Sequence, residues 1–173
     1  MKEWIWSDLH LGHTNIIDYC GRPFTNTNTM DATILRNWRE TVKGDDIIWN
    51  LGDVRMSATH SWEDLKTIIA NLPGRKMLIM GNHDMGKSAK AWRELGFDEV
   101  YPYPIIYKKF AILSHEHVFI NKAMPYVNIH GHLHEKIVGA PGYVNVSVEQ
   151  IGYKPVLLEE ILDRYNEEKY KEE

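Results

Sequence analysis

The stretch Lys76-Met77-Leu78-Ile79-Met80-Gly81-Asn82-His83-Asp84 sets an unbroken apolar run directly against a glycine and three polar residues. A strand that is apolar at every position, without alternation, is buried on both faces, which places it inside the sheet of an α/β protein. The same layout recurs outward from it. Trp4 to Ser7 leads into Asp8-Leu9-His10, and Ile47 to Leu51 leads into Gly52-Asp53. Further on, Phe110 to Ser114 ends at His115, and Tyr126 to His130 ends at Gly131-His132-Leu133-His134.

Between these runs the apolar spacing turns helical. A short helix is predicted around Asn15 to Tyr19, before Arg22-Pro23-Phe24 punctuates a loop. A longer one covers Met30 to Val42, through Ile34, Leu35, Trp38 and Val42, with Thr27, Asn28 or Thr29 as its cap. Ser61 caps the next, over Ser61 to Asn71, and Gly96 closes a short one over Ser88 to Leu95. Strands are also expected at Ile105 to Tyr107 and Tyr143 to Val148. Pro155 opens a last helix through Leu157, Leu158, Ile161 and Leu162, and Glu167 to Glu173 reads as its solvated end. Strand and helix alternate in the first half and strands dominate the second. That order gives an α/β fold in one domain, 1–173, with two mixed sheets stacked between helices.

The chain of 173 residues, 43% hydrophobic, can bury a sizeable core. A net charge of −4 with no long block of either sign argues against a broad nucleic-acid surface but leaves room for a narrow phosphate pocket. Cys20 is the single cysteine, so no internal disulfide forms and a reducing, cytoplasmic setting is expected. The opening residues lack a signal-peptide layout, and no apolar run has the length of a membrane span.

Nine histidines are many for this length. In open α/β sheets functional groups collect at the carboxyl ends of strands, where these carboxylates, imidazoles and one amide sit. The two-residue spacing of Asp8 with His10, and of His132 with His134, points both side chains the same way if strand geometry persists. Oxygen and nitrogen ligands without thiolate suit Mn, Fe, Zn, Co or Ni, and Mn is the expected ion. Two carboxylates against two divalent ions leave positive charge that a phosphate ester complements.

Taken together, the Asp-x-His, Gly-Asp, Gly-Asn-His-Asp, isolated His and Gly-His-x-His motifs resemble those of the calcineurin-like metallophosphoesterases. They span residues 8 to 134. The resemblance implies a four-layer α/β/β/α sandwich and two divalent metal ions. Asp8, His10 and His134 would hold one ion, Asp53 would bridge, and Asn82, His115 and His132 would complete the second site. His83 would face the leaving group as general acid, and a metal-bridging hydroxide would attack phosphorus.

Protein phosphatases of this family carry Gly-Asp-x-Val-Asp-Arg-Gly and Gly-Asn-His-Glu; Arg55 and Asp84 depart from both. The chain is instead similar to the small bacterial or phage-type branch, and an open site of that kind implies small phosphodiesters, nucleotides among them. A phosphomonoesterase, a metal-dependent nuclease and a non-catalytic protein-binding module are the alternatives. The scattered Lys87, Lys90, Lys108, Lys109 and Lys122 make no strand-binding groove. His13 and Arg55 are candidate substrate contacts, with a capping or surface role for His13 and a solvated one for Arg55 as alternatives. Asp84 is expected to orient His83 or cap a helix after Gly86, and His60 to be a solvated loop residue. Cys20 and the tryptophans are expected to pack.

Overall fold

Strands β1 (Glu3–Trp6), β2 (Ile47–Asn50) and β3 (Arg75–Ile79) run parallel, each bonded to the next, and β4 (Glu99–Tyr101) extends them past β3. On the other edge β9 (Val156–Leu157) pairs antiparallel with β1, giving the order β4-β3-β2-β1-β9. A second sheet, β5-β6-β7-β8, is built from β5 (Ile105–Tyr107), β6 (Ala111–Leu113), β7 (Val127–His130) and β8 (Tyr143–Asn145). Only β5 is antiparallel there. The computed structural model describes residues 1–56, 60–121 and 123–172, with side chains to residue 165; Lys122 lies outside those, as do the side chains of the charged tail singled out above.

Alternate residues of the central strands feed two cores. Trp6, Ile48 and Leu78 face one cluster with Ile34, Trp38, Leu65, Ile69 and Trp92 from the helices. Ile5, Trp49, Met77 and Ile79 face the other, against Leu113 and Ile129 of the second sheet. The first sheet is therefore buried on both faces, which is why its strands carry no polar alternation. Each large side chain removed from water contributes roughly 1.5–3 kcal/mol.

The helices covering the first sheet are α1 (Ile16–Tyr19), α2 (Thr27–Thr41), α3 (Trp62–Ala70) and α4 (Ala89–Leu95). The cap of α2 is Asn26, whose side chain accepts from Thr29 N at 2.9 Å, and not Thr27, Asn28 or Thr29. Ser61 caps α3 in a reciprocal box with Asp64, and Ser88 caps α4 before Gly96 (φ 133°) ends it. The last helix, α5 (Leu158–Glu172), starts later than Pro155, because Val156 and Leu157 first pair with Ile5 and Trp4. It packs Ile161, Leu162 and Tyr165 beside Val144 of β8. The result is the expected pair of mixed sheets flanked by helices. Among the described residues no helix is long and apolar enough to cross a membrane.

The two sheets join where their carboxyl ends meet. Ser7 N donates to Val146 O (2.9 Å) and Val148 N to Ser7 O (3.1 Å), a parallel bridge between Ser7 and Ser147 just beyond β1 and β8.

Candidate metal centre

Every candidate ligand lies in a loop that leaves a strand at this junction. Asp8 and His10 follow β1, Asp53 follows β2, and Asn82 and His83 follow β3. His115 follows β6, and His132 and His134 follow β7. Strand geometry does not persist into these loops. Asp8, His10, Asp53, His132 and His134 all adopt positive φ, from 49° to 66°, so the shared direction of the paired side chains comes from left-handed turns. Each such residue costs on the order of 1–3 kcal/mol and needs surroundings that fix it. Asp8 N donates to Gly52 O (3.0 Å), His10 N to Asp53 O (2.9 Å) and His132 N to Asp8 Oδ2 (2.9 Å), binding the strained loops to one another. Gly81 and Gly131 let them touch: a Cβ on Gly81 would collide with Asp53 Oδ1, and one on Gly131 with Ser7 Oγ and Asp8 Oδ2.

The polar atoms converge on two shared oxygens. Asp53 Oδ2 lies 3.5 Å from His10 Nε2, 3.4 Å from His115 Nε2 and 3.8 Å from His83 Nε2. Asp8 Oδ1 lies 3.9 Å from His10 Nε2 and 4.0 Å from His134 Nε2. His115 Nε2 also lies 3.0 Å from Asn82 Oδ1 and 3.1 Å from His132 Nδ1. Two clusters result, Asp8 with His10 and His134 and Asp53 with His115 and His132, and a third group, His10 with Asp53 and His83, joins them.

These residues fit divalent ions. Ligands about 2.1 Å from one ion stand about 3–3.4 Å apart, close to these separations. Asp8 Oδ1 and His10 Nε2 are buried without a hydrogen-bond partner, a costly state unless something else satisfies them. Two imidazoles are also turned correctly. His115 donates from Nδ1 to Leu51 O (2.8 Å) and His134 from Nδ1 to Glu149 Oε1 (3.0 Å), so each points Nε2 inward. That is how ligating histidines are held.

Charges follow from the same geometry. Burial pushes the His10 imidazolium far below the ordinary range, outweighing the pull of Asp53, and leaves the ring neutral. Burial also disfavours charge on His115 and on Asp53, but their hydrogen bond and mutual attraction prevail, raising the first and lowering the second.

Several residues take places that the sequence did not assign. Asp84 neither orients His83 nor caps a helix. It is wholly buried and accepts from Asp53 N (2.8 Å), Gly81 N (2.9 Å) and Val54 N (3.2 Å), clamping the Asp53 loop to the Gly81 loop. Burial, and then the charge of Asp53, push its carboxyl up to about 7. His60 is not solvated; its Nε2 meets Asp31 Oδ2 at 2.7 Å, and Asp31 in turn accepts from Gly12 N. His13 is buried against His10, with Nδ1 atoms 3.2 Å apart, while Arg55 is half-buried over Trp62 and donates to His60 O (2.6 Å). His117 packs on His130 and Tyr143, leaving His115 to the cluster. Cys20 is half-buried, its thiol pushed up to about 12 by burial and by Glu149 and Glu135.

Sequence reading missed Arg22 and Glu149. Arg22 is buried and donates to Asp8 O (2.8 Å), Leu9 O (3.1 Å) and Glu149 (2.6 Å), while Glu149 also holds His134. The pair therefore ties the loop after β1 to the loop after β7. With 127 residues between them, no local pattern could have signalled it.

The sequence profile of the calcineurin-like phosphoesterases matches residues 1–172. This chain belongs to that family. Calcineurin-like phosphoesterases hydrolyse phosphoesters with the help of metal ions, typically two, which accords with the clusters just described. An uncharacterized protein of Methanocaldococcus jannaschii is 32% identical over 93% of this chain and 89% of its own length. The gene 66 proteins of Mycobacterium phages L5 and D29 are each 37% identical, over 48% and 47% of this chain and 40% and 39% of their own lengths. Among solved structures, a protein of unknown function from Aquifex aeolicus superposes with a TM-score of 0.71 at 29% identity, covering 94% of this chain and 98% of its own.

Proposed function

We propose that this calcineurin-like phosphoesterase hydrolyses small phosphodiesters, nucleotides among them, at a two-ion centre. The observation that carries the reading is that His10 and Asp53 each belong to two neighbouring ligand clusters, so the clusters adjoin. Asp8, His10 and His134 would hold one ion and Asn82, His115 and His132 the other, with Asp53 bridging. Two divalent ions in these places, Mn foremost, would supply an activated water and neutralise charge on the phosphoryl group.

The chain's own residues would do the rest. His83 is fixed by its backbone N–H, which donates to Asp53 Oδ1 (3.0 Å), yet its ring remains partly exposed on a cleft. Its Nε2 would give a proton to the departing ester oxygen. His13, packed on His10 and with its ring 6.5 Å from that of His83, narrows the approach. Two clefts adjoin the cluster, which favours a phosphorus with two substituents. One of 370 Å³ runs past Asn82 and His115 between Met85, Pro102, Pro104 and Val118; the other, of 260 Å³, lies beside His83.

With Mn²⁺ supplied, the purified protein is expected to hydrolyse bis-p-nitrophenyl phosphate faster than p-nitrophenyl phosphate. Asp53→Asn and His83→Ala should each remove most of that activity. Full activity in both variants would sink the assignment, and a preference for the monoester would favour a phosphomonoesterase. Digestion of single- or double-stranded DNA at a rate above that of small diesters would favour a nuclease. A small phosphoester as partner and a cytoplasmic setting belong to the same reading.

A further inference from the structure

The cleft beside His83 carries a charge pattern that small neutral ester groups do not require. Its walls are Arg55, Trp62, His83, Lys87 and Trp92, with Met56 and Gly86. The Arg55 guanidinium lies 5.4 Å from the centre of the Trp62 ring and the Lys87 ammonium 5.2 Å from it. Trp62 is itself braced: it packs edge-on against Trp92 (5.0 Å), whose indole N–H donates to Asp84 O (3.0 Å) in the loop that bears His83. Among the described residues no carboxylate lies within ion-pair distance of Arg55 or Lys87, in a chain whose net charge is −4. Arg55 donates to His60 O (2.6 Å), and its guanidinium carries further N–H donors.

Two cations lie against one aromatic ring with no carboxylate partner among the described residues, so their charge is met only by the ring and by solvent. Both line the cleft, where a dianionic group would meet positive charge, and a guanidinium fork with an ammonium suits phosphate. We infer that the cleft of Arg55, Trp62 and Lys87 is a second phosphate subsite, so that the preferred substrate is a phosphoester whose leaving alcohol itself bears a phosphate. The inference rests on the two-ion reading for the placement of the scissile phosphate. In the reaction the oxygen of water bonds to phosphorus as that water gives up a proton to solvent, and the bond from phosphorus to the leaving oxygen breaks. That oxygen takes a proton from His83, and His83 recovers one from solvent. The second phosphate departs intact on the alcohol.

Binding of adenosine 5′-monophosphate and adenosine 3′,5′-bisphosphate to the Mn²⁺-loaded protein, measured by calorimetry, tests it. The bisphosphate should bind about tenfold more tightly or better, as befits charge-assisted hydrogen bonds. That margin should shrink to about threefold or less in Lys87→Gln and in Arg55→Gln, invert in Lys87→Glu, and narrow with added salt. Equal affinities in the unaltered protein, or a margin that survives in all three variants, would overturn the subsite. Because the margin is read without turnover, it stands apart from the enzymatic reading, which fails on its own if bis-p-nitrophenyl phosphate is not hydrolysed.

Discussion

Replacing Asp84 tests how the ligand loops are held. Its Oδ2 accepts from Asp53 N and Gly81 N, and its Oδ1 from Val54 N, all beyond reach of solvent. In Asp84→Asn the amide oxygen can keep the first two bonds, but its NH₂ then meets the Val54 N–H, donor against donor. One buried donor left unpaired costs about 1–3 kcal/mol. For a chain of this size that is about 2–4 °C in melting temperature per kcal/mol. Asp84→Ala strips all three donors, and at about 1–3 kcal/mol each the loss approaches a typical folding stability of about 5–15 kcal/mol.

Urea unfolding of the metal-free protein, followed by tryptophan fluorescence, measures both variants. The pH dependence has a definite sign. A carboxyl raised to about 7 on folding stays protonated in the native state below that value, so its ionisation costs stability as pH climbs from the ordinary carboxylate range toward 7. The Asp84→Asn penalty should therefore be largest near pH 5 and shrink by pH 8. An Asn variant as stable as the natural protein at pH 5, or an Ala variant no worse than Asn, refutes the clamp.

Gly131→Ala places a methyl against Ser7 and Asp8, and should cost about 1–3 kcal/mol and sharply weaken Mn²⁺ binding in calorimetry; unchanged affinity would refute the need for that close approach. Glu149→Gln keeps an acceptor for His134 but leaves the Arg22 charge unpaired. Stability should fall by about 3–5 kcal/mol and Mn²⁺ affinity by about ten- to hundredfold, and a folded variant that binds Mn²⁺ normally would contradict this. Asp46 is pushed up by burial, but N–H groups of Lys2, Trp4 and Lys43 outweigh that and hold its carboxyl below the ordinary range. Its contribution is present above about pH 4 and is lost as pH falls through the lowered value. Asp46→Asn should therefore lower the urea midpoint at pH 7 and match the natural protein in acid; an equal deficit at both pH values would count against it.

The central strands were legible because burial on both faces leaves an uninterrupted apolar run, as at Met77 to Met80. Strand β4 was missed since only Val100 of its three residues is buried, and β9 since two residues pairing at a sheet edge leave no period to detect. The cap at Asn26 was missed by one to three residues among four neighbouring cap formers, because only the backbone angle at the cap selects between them. In the site, residue types with intrinsic ligand chemistry announced themselves. Residues that act through others did not: Asp84 was misjudged because its partners include backbone N–H groups 30 and 31 residues earlier, and His60 because Asp31 lies 29 residues away.

The junction of Ser7 with Ser147 has a consequence for the stability that an ion could lend. Asp8, His10, Asp53 and Asn82 are carried by the first sheet, and His115, His132 and His134 by the second. The clusters of Asp8, His10 and His134 and of Asp53, His115 and His132 each draw on both sheets, whereas His10, Asp53 and His83 come from the first alone, so an ion held in either of the first two would be a strut between the sheets. Such an ion would add to the stability of the docked pair of sheets and not to that of either sheet alone. The first hundred residues carry four of these seven polar groups, and neither of the two clusters that span the sheets whole.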